Sequence, residues 1–224
     1  MIEMLIGGRP CLVHGSDRPE VALVQLTARH EDKSRPDMLA LLDDTMPCRY
    51  VLVAVPLARW AASLMPWPDE AVSRDGEVGR HAADTLSYIE QELLPWLQGR
   101  HGTLPCILGG YSLGGLFALW ASCCSGRFAG IAAVSPSVWI KGWGSFARCH
   151  ATRASVVYLS LGDREEHARN RRMAAVGDCI REQHALLAAR LGAGRTVLQW
   201  NCGGHFDDEA RRMARGFVWV AAKM

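Results

Sequence analysis

The chain has 224 residues, 49% of them apolar, and 25 basic against 23 acidic side chains give a formal charge of +2. This length suits one α/β domain with a substantial core, and the mixed signs, without any long block of like charge, exclude a basic face built for nucleic acid or for an anionic membrane surface. No apolar run is long enough to cross a bilayer, and the N-terminus lacks the basic start and long apolar core of a secretion signal.

Taken in chain order, Pro10 to His14 predicts a short edge strand, followed by the turn-forming Gly15-Ser-Asp-Arg-Pro19. Val21 to Thr27 is a stronger strand, Asp37 to Asp43 a short helix, and Tyr50 to Val55 a continuous apolar run ending at Pro56, the pattern of a central parallel strand buried on both faces. Together they predict a βαβ unit. Leu57 to Gly79 is irregular and carries Trp60, Met65 and Trp67 between prolines, so it predicts a long surface loop, either walling a ligand pocket or capping the core. Arg80 to Gln98 predicts an amphipathic helix that buries Leu86, Ile89, Leu93, Leu94, Trp96 and Leu97, with a kink at Pro95.

The apolar run Cys106-Ile-Leu108 leads into Gly110-Tyr-Ser-Leu-Gly114, which fits G-x-S-x-G, and Leu113, Leu116, Phe117 and Trp120 follow at helical spacing. A sharp strand-to-helix turn lifts one serine hydroxyl clear of a sheet and sets it at a helix N-terminus, where free N–H groups favour developing negative charge. Ser112 is the candidate nucleophile; the plain alternative is a glycine-rich turn with a solvated serine.

Ile131 to Val134 predicts a further strand running into Ser135-Pro-Ser-Val-Trp139, which places Trp139 either in a pocket or against the sheet. Lys141 to Ser145 reads as a loop, Ser155 to Leu161 as a strand closed by Gly162-Asp-Arg-Glu-Glu166, and Arg169 to Leu191 as one long helix ended by Gly192 and Gly194. Thr196 to Trp200 is the last strand, and Asn201-Cys-Gly-Gly-His-Phe206 the loop after it. Asp207 or Asp208 is the expected cap of a final helix in which Arg211, Arg212 and Arg215 alternate with apolar residues. The alternation of strands and helices predicts an α/β fold with a mostly parallel sheet covered on both faces, without a large lid.

A serine hydroxyl needs a base, and the base needs a partner that fixes its tautomer. His205 follows the last strand, while Asp163, Glu165 and Glu166 all follow the one before it and compete for the acid position. The order serine, acid, histidine is that of α/β-hydrolases. His14, His30, His81, His167 and His184 fall on helices or turns better suited to solvated or capping roles. Two oxyanion donors are needed: one is the backbone N–H of Leu113, the other is sought at Thr27-Ala28-Arg29, where Ala28 is the candidate, although the usual His-Gly is missing. Tyr111, Trp139, Trp67 and Phe206 are the candidate pocket residues. The eight cysteines are scattered without a C-x-x-C pair, and Cys149-His150 and Cys202-Gly-Gly-His205 lack second halves for a zinc site. Buried thiols in a reducing, cytoplasmic setting are expected, with no metal or other cofactor.

Gly109-Gly-Tyr-Ser-Leu-Gly-Gly115, Ser135-Pro-Ser-Val-Trp139, Gly162-Asp-Arg-Glu165 and Gly203-Gly-His205 together resemble the Putative esterase family of α/β-hydrolases, with its esterase D-like and enterochelin esterase-like members. Tyr88 to Pro95 and Met65-Pro-Trp-Pro68 also resemble segments of that family. The resemblance implies an α/β-hydrolase fold, Ser112 as nucleophile, His205 as base and Glu165 as acid, acting on a small-molecule ester. A thioesterase or acyltransferase would use the same residues, and a catalytically silent binding protein is the reading from another class.

Overall fold

The computed structural model describes residues 1–28, 33–72 and 78–224, so Arg29 and His30 lie outside the described residues. An eight-stranded sheet organises the chain: β1 (Ile2–Ile6), β2 (Arg9–Gly15), β3 (Val21–Thr27), β4 (Tyr50–Pro56), β5 (Cys106–Tyr111), β6 (Gly130–Val134), β7 (Val156–Gly162) and β8 (Thr196–Asn201), in the spatial order β1-β2-β4-β3-β5-β6-β7-β8. From β3 to β8 all pairings are parallel, and only the β1 and β2 pairings are antiparallel. Gly7 and Gly8, with φ of +52° and +76°, make the β1–β2 turn. Two successive left-handed residues give a two-residue turn the twist that a hairpin needs. The strand at Pro10–His14 is therefore not an edge; β1 lies outside it.

The helices are α1 (Arg35–Thr45), α2 (Trp60–Leu64), α3 (Ala82–Tyr88), α4 (Leu94–His101), α5 (Leu113–Cys124), α6 (Trp143–Cys149), α7 (Arg171–Ala174), α8 (Val176–Leu191) and α9 (Glu209–Lys223). Strand alternation sorts the core into two layers. On β3, Val21 and Leu23 face a layer with Met38, Leu39 and Leu42 of α1 and Met213, Phe217 and Val220 of α9. Ala22, Val24 and Leu26 face the opposite layer with Leu86, Leu116, Phe117 and Ile180. Among the described residues no helix is long and apolar enough to cross a membrane.

Three helical expectations change. The predicted helix 80–98 is α3 and α4 joined by a π-helical turn, Ile89–Leu93. Pro95 has no N–H to give to the carbonyl four residues back and its ring crowds that carbonyl, so the turn before it widens. The predicted helix 169–191 divides into α7, whose Asn170 side chain accepts from the N–H groups of Arg172 and Met173, and α8. The loop at Lys141–Ser145 runs into α6, and Trp143 is buried with its indole N–H donating to Gln183 Oε1 at 2.9 Å.

The segment 57–79 is not all surface loop. It contains α2, buries Leu64 and Met65, and is fastened through Asp69, whose carboxylate accepts from the N–H groups of Lys141 at 2.8 Å and Ala71 at 3.0 Å and from the guanidinium of Arg172. At the other end of the chain, Asp208 occupies the position before α9 without capping it, and Asp207 instead accepts from Gly204 N–H at 2.7 Å.

Candidate active site

The chain passes from β4 back across β3 to β5, and ligand sites of open parallel sheets gather at such a reversal of strand order. The four strands β5 to β8 then lie side by side in sequence order, in the registers Tyr111↔Val134, Val134↔Ser160 and Gly162↔Asn201. The turns after their carboxyl ends bring Ser112, Ser135, Glu165 and His205 into one place.

Ser112 has φ +56° and ψ −116°, a region that a serine enters only at a cost of about 1–3 kcal/mol. The two glycines of the motif contribute unequally. A Cβ on Gly110 would stand 2.5 Å from the carbonyl carbon of Gly114, whereas a Cβ on Gly114 would stand 3.2 Å from the ring of Trp60. Of these two it is Gly110 at which the elbow closes backbone against backbone, joined by the neighbouring Gly115, whose Cβ would stand 3.0 Å from the Gly110 carbonyl oxygen. Ser112 immediately precedes α5, and Leu113 is its first residue, a position whose N–H has no acceptor within the helix.

His205 Nε2 lies 3.0 Å from Ser112 Oγ, and its Nδ1 lies 2.7 Å from Glu165 Oε2. The imidazole touches the Tyr111 ring edge-on on one side and that of Phe206 on another, and Tyr111 OH donates to the His205 carbonyl at 2.7 Å. Glu165 is buried, and its second oxygen, Oε1, accepts from Ser135 Oγ at 2.6 Å, Gly162 N–H at 2.7 Å and Arg212 Nη2 at 3.0 Å. Burial pushes this carboxyl upward, but the hydrogen bond and charge of His205, the Ser135 hydroxyl and the Gly162 N–H outweigh it and hold the group at about 2. Ser137 Oγ stands 3.3 Å from Ser112 Oγ.

The other two carboxylates turn elsewhere. Asp163 Oδ1 accepts from Gly203 N–H at 2.9 Å and braces the turn, and Glu166 pairs with Arg181 at 2.8 Å. Asp163, the alternative acid, is thus corrected to a turn brace: its carboxylate is spent on backbone, and Glu165 alone of the three reaches His205. The buried Ala28 follows the carboxyl end of β3, whose Leu26 is paired with Gly110, two residues before Ser112.

A cavity of about 180 Å³ opens beside Ser112 and His205, walled by Trp139, Ala168, Met173 and Val176 with Arg164 at its side. Of the four expected pocket residues, Trp139 lines it. Tyr111 is buried behind His205, and Phe206 stands outside, 74% exposed. Trp67 is a correction: its indole packs at 6.4 Å on Trp143 and 5.4 Å on Phe146 and donates to the Lys141 carbonyl at 2.7 Å, away from the cavity. Larger hollows of about 570 Å³, lined by the His14–Asp43 pair and Tyr50, and about 260 Å³, near Leu94 and Arg127, lie away from Ser112. Sequence reasoning passed over Ser135, Ser137 and Arg212 as site residues. For Arg212 a signal existed: it shares the helical arc of Gly216, Met213, Phe217 and Val220, where a charge has no solvent.

A family model described as "Putative esterase" matches residues 47–203, a span that includes Ser112 and Glu165 and ends just before His205. Among solved structures the chain is similar to the siderophore hydrolase EstA from Aspergillus nidulans, with a TM-score of 0.74, 20% identity, and coverage of 95% of this chain and 89% of that one. It is similar to the siderophore hydrolase EstB from the same organism, with a TM-score of 0.70, 19% identity, and coverage of 97% and 92%. A third, the enterobactin esterase FES from Shigella flexneri, has a TM-score of 0.67 and 18% identity; 98% of this chain is covered but only 57% of that one. No curated protein matches the sequence. At these identities the likeness is one of fold: an α/β-hydrolase sheet with helices on both faces.

Proposed function

The chain belongs to the Putative esterase family, and on that premise we propose that it is a serine hydrolase that cleaves a carboxylic ester of a small molecule through an acyl-enzyme on Ser112. The observation that carries this reading is the continuous hydrogen-bonded line from Ser112 Oγ through His205 to Glu165, at 3.0 and 2.7 Å. His205 Nε2 takes the hydroxyl proton as Ser112 Oγ attacks the ester carbonyl, and Glu165 holds the imidazolium that forms. The Leu113 N–H, with Ala28 N–H as its partner, donates to the developing oxyanion. Collapse of the tetrahedral species expels the alcohol, which receives the proton from His205; water then repeats the sequence on the acyl-enzyme and frees Ser112.

The cavity of about 180 Å³ is below the range of drug-sized sites. It favours an ester with one compact, largely apolar acyl group, the alcohol portion extending past Phe206. Eight free thiols are consistent with a reducing, cytoplasmic setting.

Labelling with a fluorophosphonate probe tests the reading. Wild type is expected to label, and Ser112→Ala and His205→Ala to lose labelling; a folded wild type that resists the probe would leave a hydrolase-fold binding protein. Turnover of esters against thioesters of the same acyl group then decides between esterase and thioesterase.

A further inference from the structure

We infer that Arg212 is the positioning residue of the acid–histidine pair, one buried guanidinium that fixes both the carboxylate of Glu165 and the loop that carries His205. This rests on the serine-hydrolase reading and adds to it a residue from outside the serine, acid and histidine turns.

Arg212 is 1% exposed, on the inward arc of α9. A guanidinium cannot shed its charge, so a fold keeps one out of water only where its donors find acceptors. Here the donors of the two terminal nitrogens are divided between two parts of the site, and Nε has no hydrogen-bond partner among the described residues. Nη2 donates to Glu165 Oε1 at 3.0 Å and to Ser135 Oγ, while Nη1 donates to the carbonyls of Gly204 at 3.2 Å and Asp207 at 3.4 Å, which flank His205 in its loop. The guanidinium carbon stands 5.2 Å from the centre of the Tyr111 ring, and Tyr111 in turn holds the His205 carbonyl. One planar group thus joins the turns after β6 and β7 to the loop after β8.

Two consequences follow. With Oε1 occupied, the carboxylate cannot rotate away from His205, and the direction of Oε2 toward Nδ1 is fixed. The pair Glu165–Arg212 also presents a balanced charge to the imidazole. The groups facing Glu165 are His205, Arg212, Ser135 and the Gly162 N–H; those facing His205 are Ser112, Glu165, Tyr111 and Phe206. The remaining charge at the cavity, Arg164, pairs with Asp207 at 3.3 Å on the exposed side. Removal of the Arg212 cation leaves the carboxylate unopposed beside His205, so the acid limb of reactivity moves upward.

The rate constant for fluorophosphonate labelling as a function of pH requires no knowledge of the substrate, and its end-point counts competent sites. Arg212→Met is expected to slow labelling per competent site by roughly ten- to a hundredfold, short of the about 10⁴-fold that follows neutralisation of a triad acid, and to move the acid limb to higher pH. Arg212→Lys keeps the charge but not the fork; its limb is expected at the wild-type pH with an intermediate rate. On a Glu165→Gln background, Arg212→Met is expected to cost clearly less than it does in the wild type, because the part of its effect that passes through the carboxylate is already lost and only its hold on the His205 loop remains. A role in stability alone would lower the end-point and leave rate and limb unmoved. An unchanged rate and limb per competent site, or the same loss with and without Glu165, overturns the inference while the hydrolase reading stands. Should Arg212→Met not fold, Arg212→Lys decides, and a wild-type rate in it overturns the inference. A folded wild type that does not label overturns both.

Discussion

Two of the histidine–carboxylate pairs among the described residues, His14–Asp43 and His205–Glu165, lie at opposite ends of the strands, and their difference shows what makes one of them a candidate site. At the amino end of β4, His14 Nε2 lies 2.9 Å from Asp43 Oδ1, and Tyr50 OH donates to the same oxygen at 2.5 Å. At the carboxyl end, His205 meets Glu165 at 2.7 Å. As bare distances the two are alike. But the Asp43 side chain is 53% exposed and the Glu165 side chain 5%, and only the second pair has a strained serine on the far nitrogen and a buried arginine behind the acid. A hydrogen bond between histidine and carboxylate is common; a buried, over-determined one that ends on a strained serine is what the proposed chemistry needs.

The comparison breaks most sharply at Ser112. Ser112→Ala is expected to lower kcat for a reactive ester by on the order of 10⁶-fold with the fold intact, whereas His14→Ala should leave kcat unchanged; steady-state assays of both variants check this. Next comes Glu165→Gln, expected to cost about 10⁴-fold in kcat. The same carboxyl gives a pH signature. Its folded value, about 2, lies below the ordinary 4.5, so its contribution to stability is fully present above the ordinary value and is lost as pH falls toward 2. Urea unfolding followed between pH 6 and 2.5 should lose roughly 3 kcal/mol from this group. The exposed Asp43, also held low against burial by Tyr50 and His14, belongs to a class of pairs worth under about 1 kcal/mol.

A smaller effect separates the glycines of the elbow. Gly110→Ala forces a methyl onto the backbone of Gly114 and is expected to cost about 1–3 kcal/mol in thermal or urea unfolding, with a loss of probe labelling. Gly114→Ala presses only on the edge of Trp60 and should cost less in both measurements. The smallest effect is His14→Ala on stability, within about 1 kcal/mol by the same unfolding assay.

Much of this arrangement was legible in the residues because it is local. Val21–Thr27 and Tyr50–Pro56 are strands buried from end to end, and a continuous apolar run between breakers admits few other readings. The order of Ser112, Glu165 and His205 along the chain also follows from strand–helix alternation. What escaped depends on partners far away in sequence. Ile2–Ile6 is largely exposed and becomes a strand because Gly7-Gly8 folds it onto β2. Trp67 suits a pocket until Trp143 and Phe146 are found beneath it. The apolar arc of α9 marks Arg212 as the inward one of its three arginines, but that its partner there is Glu165, 47 residues earlier, appears only in the fold.

The chain order of the site also bears on its biosynthesis. Ser112 and its elbow are complete when β5, β6 and α5 have been made, but His205 follows the last strand to be synthesised and Arg212 comes later still, on the helix that covers β5, β6 and β7 and meets α1. Domains begin to fold from the N-terminal side as they leave the ribosome. A nascent chain therefore carries Ser112 without its proposed base while residues 113–204 are added, and the proposed triad is complete only shortly before the helix that closes the core.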